Sequence, residues 1–282
     1  MTTLHTSPAV VRPAGTLDPI AALWRQRKLL RRFAVNDALG KYRGSLLGLC
    51  WSFLNPLLML AVFTIAFGTV FRGAAFTNGL VERPVVLPIF CGMVVFGVFG
   101  EVLGRTPMCI VGQPNYVKKI VFPLEVLPTA ILGSSLLHAL IGLSILIVGQ
   151  LALGFGLPWT AVLLPVVLLP LLLFALGTGF LLSSLGVYVR DIGHSIGVVS
   201  QALFFLTPVV YPFKAIEDGA PAMAAVLRWN PLKVVVDGAR ECLIYGVVPA
   251  PLPLLAVSVV GVAVTWLGFL WFQKTRAGFA DV

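Results

Sequence analysis

Along the chain, long charge-free runs alternate with short polar clusters. No Asp, Glu, Lys or Arg occurs from Gly44 to Phe71, Pro84 to Gly100, Val126 to Val189, Ile192 to Phe213 or Cys242 to Gln273. A helix crossing the hydrocarbon core of a bilayer needs about 20 apolar residues. The third run is too long for one crossing. It divides at Gly154-Phe155-Gly156-Leu157-Pro158-Trp159, where glycine and proline favour a turn and tryptophan suits the water–lipid boundary. The pattern predicts an all-α integral membrane protein with six spans, at roughly 46–70, 86–104, 127–152, 160–186, 195–212 and 252–272.

Composition agrees. Of 282 residues, 59% are hydrophobic and 11% charged, and the mean hydropathy is +0.99. Soluble domains carry about 25% charged residues, so a soluble enzyme is excluded, and so is a disordered chain. The net charge of +9 needs no nucleic acid to explain it. Six spans bring both termini to one side, and Lys and Arg divide 14 to 6 in favour of that side. The positive-inside rule then places both termini in the cytoplasm.

Three polar segments are more than connections. Residues 25–43 interleave Leu29, Leu30, Phe33 and Ala34 with Arg25, Arg31, Arg32, Lys41 and Arg43, which predicts a basic amphipathic helix in the headgroup layer. Gly40, Gly44 and Gly48 follow at steps of four. That spacing permits close helix packing or, alternatively, a flexible bend into the first span. Residues 113–123 form a short basic loop bounded by Pro114 and Pro123, which reads as a short helix offered to a soluble partner or as a plain basic loop. Residues 213–251 mix Lys214, Glu217, Asp218, Arg228, Lys233, Asp237, Arg240 and Glu241 with apolar pieces around Trp229-Asn230-Pro231. They are too polar to span and predict short re-entrant helices on the external side; an interfacial lid is the alternative.

Within the first span, Asn55 brings a polar group that needs a partner in lipid, and Pro56 removes a donor to Ser52, which predicts a kink. Trp51, Phe63 and Phe67 add aromatic bulk, read either as packing or lipid contact, or as a surface on which sugar rings slide. Glu101 alone among the acids approaches a span interior, and His138 reads more readily as a packed polar residue than as a proton carrier. There is no Gly-x-x-x-x-Gly-Lys-Ser/Thr loop, no His-Glu-x-x-His, no Gly-x-Ser-x-Gly and no metal-ligand spacing among Cys50, Cys91, Cys109 and Cys242. Transport by such a chain requires an external motor. The alternatives from other classes are an intramembrane glycosyl or acyl transferase, which needs clustered acids or histidines, and a passive channel.

Several blocks in order carry a resemblance. Residues 42–57, Tyr-Arg-Gly-Ser-Leu-Leu-Gly-Leu-Cys-Trp-Ser-Phe-Leu-Asn-Pro-Leu, resemble the leading segment of type-2 ABC exporter permeases that move polysaccharides. Residues 115–123, Asn-Tyr-Val-Lys-Lys-Ile-Val-Phe-Pro, resemble their first cytoplasmic coupling region. Tyr188-Val189-Arg190-Asp191-Ile192, the stretch Phe204 to Pro212, and Trp229-Asn230-Pro231-Leu232 resemble later blocks. The resemblance spans about 25–275, with short cytoplasmic tails at 1–24 and 276–282. It is strongest for O-antigen (lipopolysaccharide) permeases, with capsule and teichoic-acid exporters near by and drug or other lipid permeases as runner-up.

That resemblance implies a homodimer in the bacterial inner membrane joined to two copies of an ABC ATPase subunit, where ATP and Mg reside, with no cofactor in this chain. It implies a polyprenyl-diphosphate-linked polysaccharide as passenger. Asn115, Tyr116, Val117, Lys118, Lys119 and Ile120 would dock on the ATPase, and the 25–43 helix would meet the lipid headgroup. Trp51, Asn55, Phe63, Phe67, Phe204, Phe205 and Tyr211 would line the path. Trp229, Asn230 and Pro231 would belong to an external gate.

Overall fold

The computed structural model describes residues 19–48, 50–70, 84–118, 122–211 and 213–281, with the side chains of 66–70, 117, 118, 215, 280 and 281 left aside. Among the described residues the structure is helical, without strands. A short helix α1 (Pro19–Arg25) and the basic helix α2 (Arg27–Gly40) come first. They are followed by α3 (Cys50–Val70), α4 (Val86–Arg105), α5 (Pro114–Lys118) and α6 (Val126–Ala152). Then come α7 (Leu164–Tyr188), α8 (Ile192–Leu206), the short α9 (Phe213–Gly219) and α10 (Pro221–Leu227), α11 (Pro231–Arg240) and α12 (Pro251–Thr275).

Among the described residues, four segments are long and apolar enough to cross a membrane: Val86–Met108, Val126–Ala152, Trp159–Tyr188 and Pro251–Phe279. The first and fifth expected spans coincide with shorter apolar stretches, Cys50–Ile65 and Ile192–Leu206. The fifth span was expected to reach 212, but its helix ends at Leu206, and Thr207 is extended, with φ −96° and ψ 128°. The physical reason is Pro208, whose ring bars helical backbone in the preceding residue. The helix of the first expected span, α3, starts at Cys50 rather than 46, because Gly44 (φ +84°) and Gly48 (φ +48°) turn the chain just before it.

Helix α4 is the centre of the bundle. It packs against α3, α6, α7, α8 and α11, and Leu87, Phe90, Val95, Phe96, Phe99 and Val102 are buried along it. Helices α7 and α12 form the most extensive pair. A Cβ at Gly177 would fall 2.5 Å from the backbone of Val264 and Thr265, and Gly268 faces the Gly177 carbonyl just as closely. Without aqueous driving force between helices, such backbone approach through small residues is what supplies the packing energy. Thr265 Oγ1 adds a 2.6 Å bond to the Leu173 carbonyl across the pair. The outward faces carry exposed Leu57, Val62 and Ile65 on α3, Val198 on α8 and Val259, Trp266 and Leu267 on α12, as a chain solvated by lipid requires.

Both described chain ends lie together. Ala22 of α1 packs with Phe269, Phe272 and Phe279. The segment expected as a short cytoplasmic tail, 276–282, contains a 3-10 helix, Arg276–Asp281, with Phe279 fully buried. We call this the terminal end of the bundle. Helices α9 to α11 lie at the other, distal end.

Candidate functional site

At the terminal end the basic helix is tied down by charge. Ala34 and Ala38 are its buried residues, and Ala34 fits against Gly133 of α6 so closely that a Cβ there would lie 2.7 Å away. Its Asp37 accepts a 2.7 Å hydrogen bond from Arg105 Nη2 of α4. Arg105 Nη1 in turn donates to Glu101 Oε1 at 2.9 Å. Glu101 also meets Lys41 Nζ at 3.6 Å and His138 Nδ1 of α6 at 3.0 Å. The Tyr42 ring stands edge-on to His138 at 5.9 Å, and burial, then the Glu101 carboxylate, raise its phenol above its ordinary value. Five ionisable side chains thus join α2, α4 and α6. Lys41 belongs to this network, whereas Arg25, Arg31, Arg32 and Arg43 are exposed.

The segment expected to dock on the ATPase leans on the same helix. Phe33 of α2 lies 5.6 Å from the Tyr116 ring and 5.2 Å from Phe122, and Tyr116 and Phe122 are 4.8 Å apart. Asn115 is exposed beside them on α5. The helix expected here is present, but Lys119 and Ile120, and the side chains of Val117 and Lys118, lie outside the described residues. A cavity of about 330 Å³ opens between these elements, lined by Phe33, Asp37, Arg105, Gln113 and Leu127 among others. A second, of about 360 Å³, lies between α2, α3 and α6 and is lined by Leu39, Tyr42, Ser52, Phe53, His138 and Ser144 among others.

The proposed path residues separate by facing. Phe205 is exposed, while its neighbour Phe204 turns inward onto Phe96 at 5.3 Å. From there Phe99 and Phe174 continue the aromatic contacts into the core, stacked at 5.5 Å. Trp51 and Phe63 are half-buried, Phe63 packing on the core, and Asn55 is exposed. The Phe67 side chain lies outside the described residues. Tyr211 is half-buried and its hydroxyl donates to the Phe205 carbonyl.

At the distal end, α11 buries Leu232, Val235, Val236 and Ala239, the i, i+3, i+4, i+7 stripe of a one-sided helix. Asn230 caps it, accepting from the Leu232 amide at 2.9 Å, and reaches the end of α8 through Nδ2, 3.2 Å from the Leu206 carbonyl and 3.0 Å from Thr207 Oγ1. Pro231 occupies the first turn, where a missing N–H costs nothing. Trp229 is almost fully exposed. A five-residue π-helix, Glu241–Tyr245, follows and is held by Thr160 Oγ1, 2.7 Å from the Cys242 carbonyl, and Gln150 Nε2, 3.3 Å from that of Leu243.

Sequence reasoning missed the two most buried cations among the described residues. Arg240, 4% exposed, was counted only as one sign in a mixed stretch, and Arg276 only as a tail residue. Arg276 Nη1 lies 3.3 Å from Glu125 Oε2 and its Nη2 is 3.3 Å from the Phe122 carbonyl. The usable signal was position: Glu125 immediately precedes one charge-free run, and Arg240 and Glu241 immediately precede another.

A helical bundle with exposed apolar walls, a basic helix bound to one end and short helices folded against the other is the architecture of a polytopic membrane protein. Residues 29–244 match the ABC-2 type transporter family, and the chain belongs to that family. It is similar to the O-antigen export system permease protein RfbA of Myxococcus xanthus, with 29% identity over 262 residues, 93% of this chain and 98% of that protein. It is also similar to the protein of the same name from Klebsiella pneumoniae, with 23% identity over 245 residues, 86% of this chain and 90% of that one.

Proposed function

We propose that the chain is the permease subunit of an ATP-driven exporter that moves O-antigen, as a lipid-linked polysaccharide, out of the cytoplasm. The observation that carries this reading is the nearly end-to-end similarity to two permeases named for O-antigen export, on a chain that belongs to the ABC-2 type transporter family. Under it, α3 and α8 complete six spans, and the terminal end faces the cytoplasm of a bacterial inner-membrane protein. The excess of Lys and Arg on that side supports the orientation.

Two copies form the conduit above two ATPase subunits, which hold ATP and Mg. The segment from Asn115 to Ile120 receives the ATPase stroke. The exposed Arg25, Arg31, Arg32 and Arg43 attract the diphosphate of the carrier lipid, since a guanidinium offers paired donors to phosphate oxygens. Passage of sugar rings over the exposed Phe205 and the half-buried Trp51 and Tyr211 needs no strong polar trap. The distal helices, including Trp229, Asn230 and Pro231, regulate the exit.

The test is deletion of the gene followed by analysis of surface glycan. Loss of O-antigen with accumulation of lipid-linked chains inside, restored by the wild-type gene, is expected. Loss of capsule or teichoic acid with O-antigen intact moves the substrate to that class, and unchanged glycans with an altered drug or lipid profile overturn the polysaccharide reading.

A further inference from the structure

We propose that Arg240 is a positioning residue that latches the distal helices shut across the exit of the conduit. The inference rests on the reading of residues 213–251 as the exit region. Its own basis is one side chain that joins three segments distant in sequence. Arg240 closes α11, and its Nε donates to the Pro88 carbonyl in the first turn of α4 at 2.9 Å. Its Nη1 donates to the Pro208 carbonyl at 2.8 Å, and its Nη2 to the Val209 carbonyl, both in the break that follows α8. Asp237 Oδ1 stands 3.2 Å from Nη1.

Each contact has a chemical reason. Pro208 and Val209 lie outside any helix and are buried, so their carbonyls need donors that water does not supply at membrane depth. A guanidinium brings five donors in a fixed fork and keeps its charge under all conditions; an ammonium brings three from one point. Gly92 is matched to the arrangement, since a Cβ there would lie 2.6 Å from Arg240 Nη2. The carboxylate of Asp237 is shared, with Oδ2 3.0 Å from Lys233 Nζ, so carbonyl dipoles carry much of the compensation for the buried charge.

A buried ion of this kind is often no more stabilising than an apolar residue of its size. What it supplies is directional bonds that a defined movement breaks together. If α11 swings away from the end of α8 or from the first turn of α4, the guanidinium loses partners on one side while α11 itself stays intact. The resting exit is thereby closed by default, and a stroke that displaces α4 or α8 releases it.

The experiment uses the full chain with its ATPase subunit in proteoliposomes and in the deletion strain, comparing wild type, Arg240→Lys, Arg240→Gln and Gly92→Ala. The readouts are the amount of inserted complex, ATPase rate, glycan export and ATP-independent leak of an entrapped small dye. Arg240→Gln is expected to raise the passive leak about tenfold or more, the least that losing one charge-assisted bond does to a closed population. Its ATPase continues while export per ATP falls. Gly92→Ala, which keeps the charge but displaces Nη2, leaks as well, and Arg240→Lys recovers part of the closure. Tight vesicles with wild-type export per ATP in both Arg240→Gln and Gly92→Ala overturn the latch. Loss of both variants from the membrane also overturns it, by making Arg240 a folding staple alone. If wild type fails to restore glycan export but the leak still follows the variants, the latch stands and the O-antigen reading falls.

Discussion

Arg276 and Glu125, 151 residues apart in sequence, form an ion pair at 3.3 Å with side chains only 8% and 4% exposed. The pair joins the segment after α12 to the first residue before α6, next to the Phe122 carbonyl that Arg276 also holds. The end of the 113–123 segment is therefore fixed to the segment that follows α12. Removing one partner of a buried pair strands the other charge and costs about 3–5 kcal/mol, far more than the pair as a whole contributes. Glu125→Gln should lower the unfolding temperature of the detergent-solubilised chain sharply, and Arg276→Met added to it should recover part of the loss. Additive losses in the double variant would show that the two residues act separately.

The contact of α7 with α12 admits no side chain at Gly177 or Gly268. Gly177→Val and Gly268→Val should abolish accumulation of the protein in the membrane, because the added carbons collide with backbone rather than with a movable side chain. Gly149→Ala is the control: nothing lies within 4 Å of a Cβ there, and within a helix the change stabilises by about 1 kcal/mol or less. Immunoblots of membrane fractions read both outcomes.

Asp37 and Arg105 hold the basic helix to α4. Arg105→Gln should loosen α2 without unfolding the bundle, since the pair is about one-third exposed and its energy is partly screened. Hydrogen exchange should then quicken across residues 27–40 and stay slow in α7 and α12. Unchanged exchange in α2 would mean that Ala34 against Gly133 suffices to hold it.

Under the proposed docking, Lys118→Glu combined with Lys119→Glu should reduce recovery of the ATPase subunit with the permease by reversing the charge of the 115–120 segment. Tyr116→Ala should act differently. It removes a ring that packs on Phe33 and Phe122, so the ATPase remains bound while export per ATP falls. Equal recovery of the ATPase with the charge-reversed and wild-type chains would count against docking at these lysines.

The charge-free runs made the long helices legible, since excluding Lys, Arg, Asp and Glu from lipid is a constraint that each segment shows by itself. The end of α8 was open to the same reading: Thr207-Pro208 marks it, but an unbroken apolar run through Phe213 masked the signal. Partnerships were less legible. Phe204 and Phe205 are neighbours of one type, yet one packs inside and the other outside, because successive helical residues point about 100° apart and the absolute rotation is set by the tertiary structure. The bonds of Arg240 and Arg276 reach across many residues to backbone carbonyls, which leave no mark in residue identity. The step of four from Gly40 to Gly48 suited close packing as well as a bend. The structure gives Gly44 and Gly48 positive φ and open space within this chain, which favours the bend, and a sequence does not show the sign of φ.

Those two glycines separate the anchored basic helix from α3 by a joint whose backbone only glycine adopts without strain. A side chain at either glycine would therefore redirect where α3 sets off, and with it the face that α3 lays on α4 and α6.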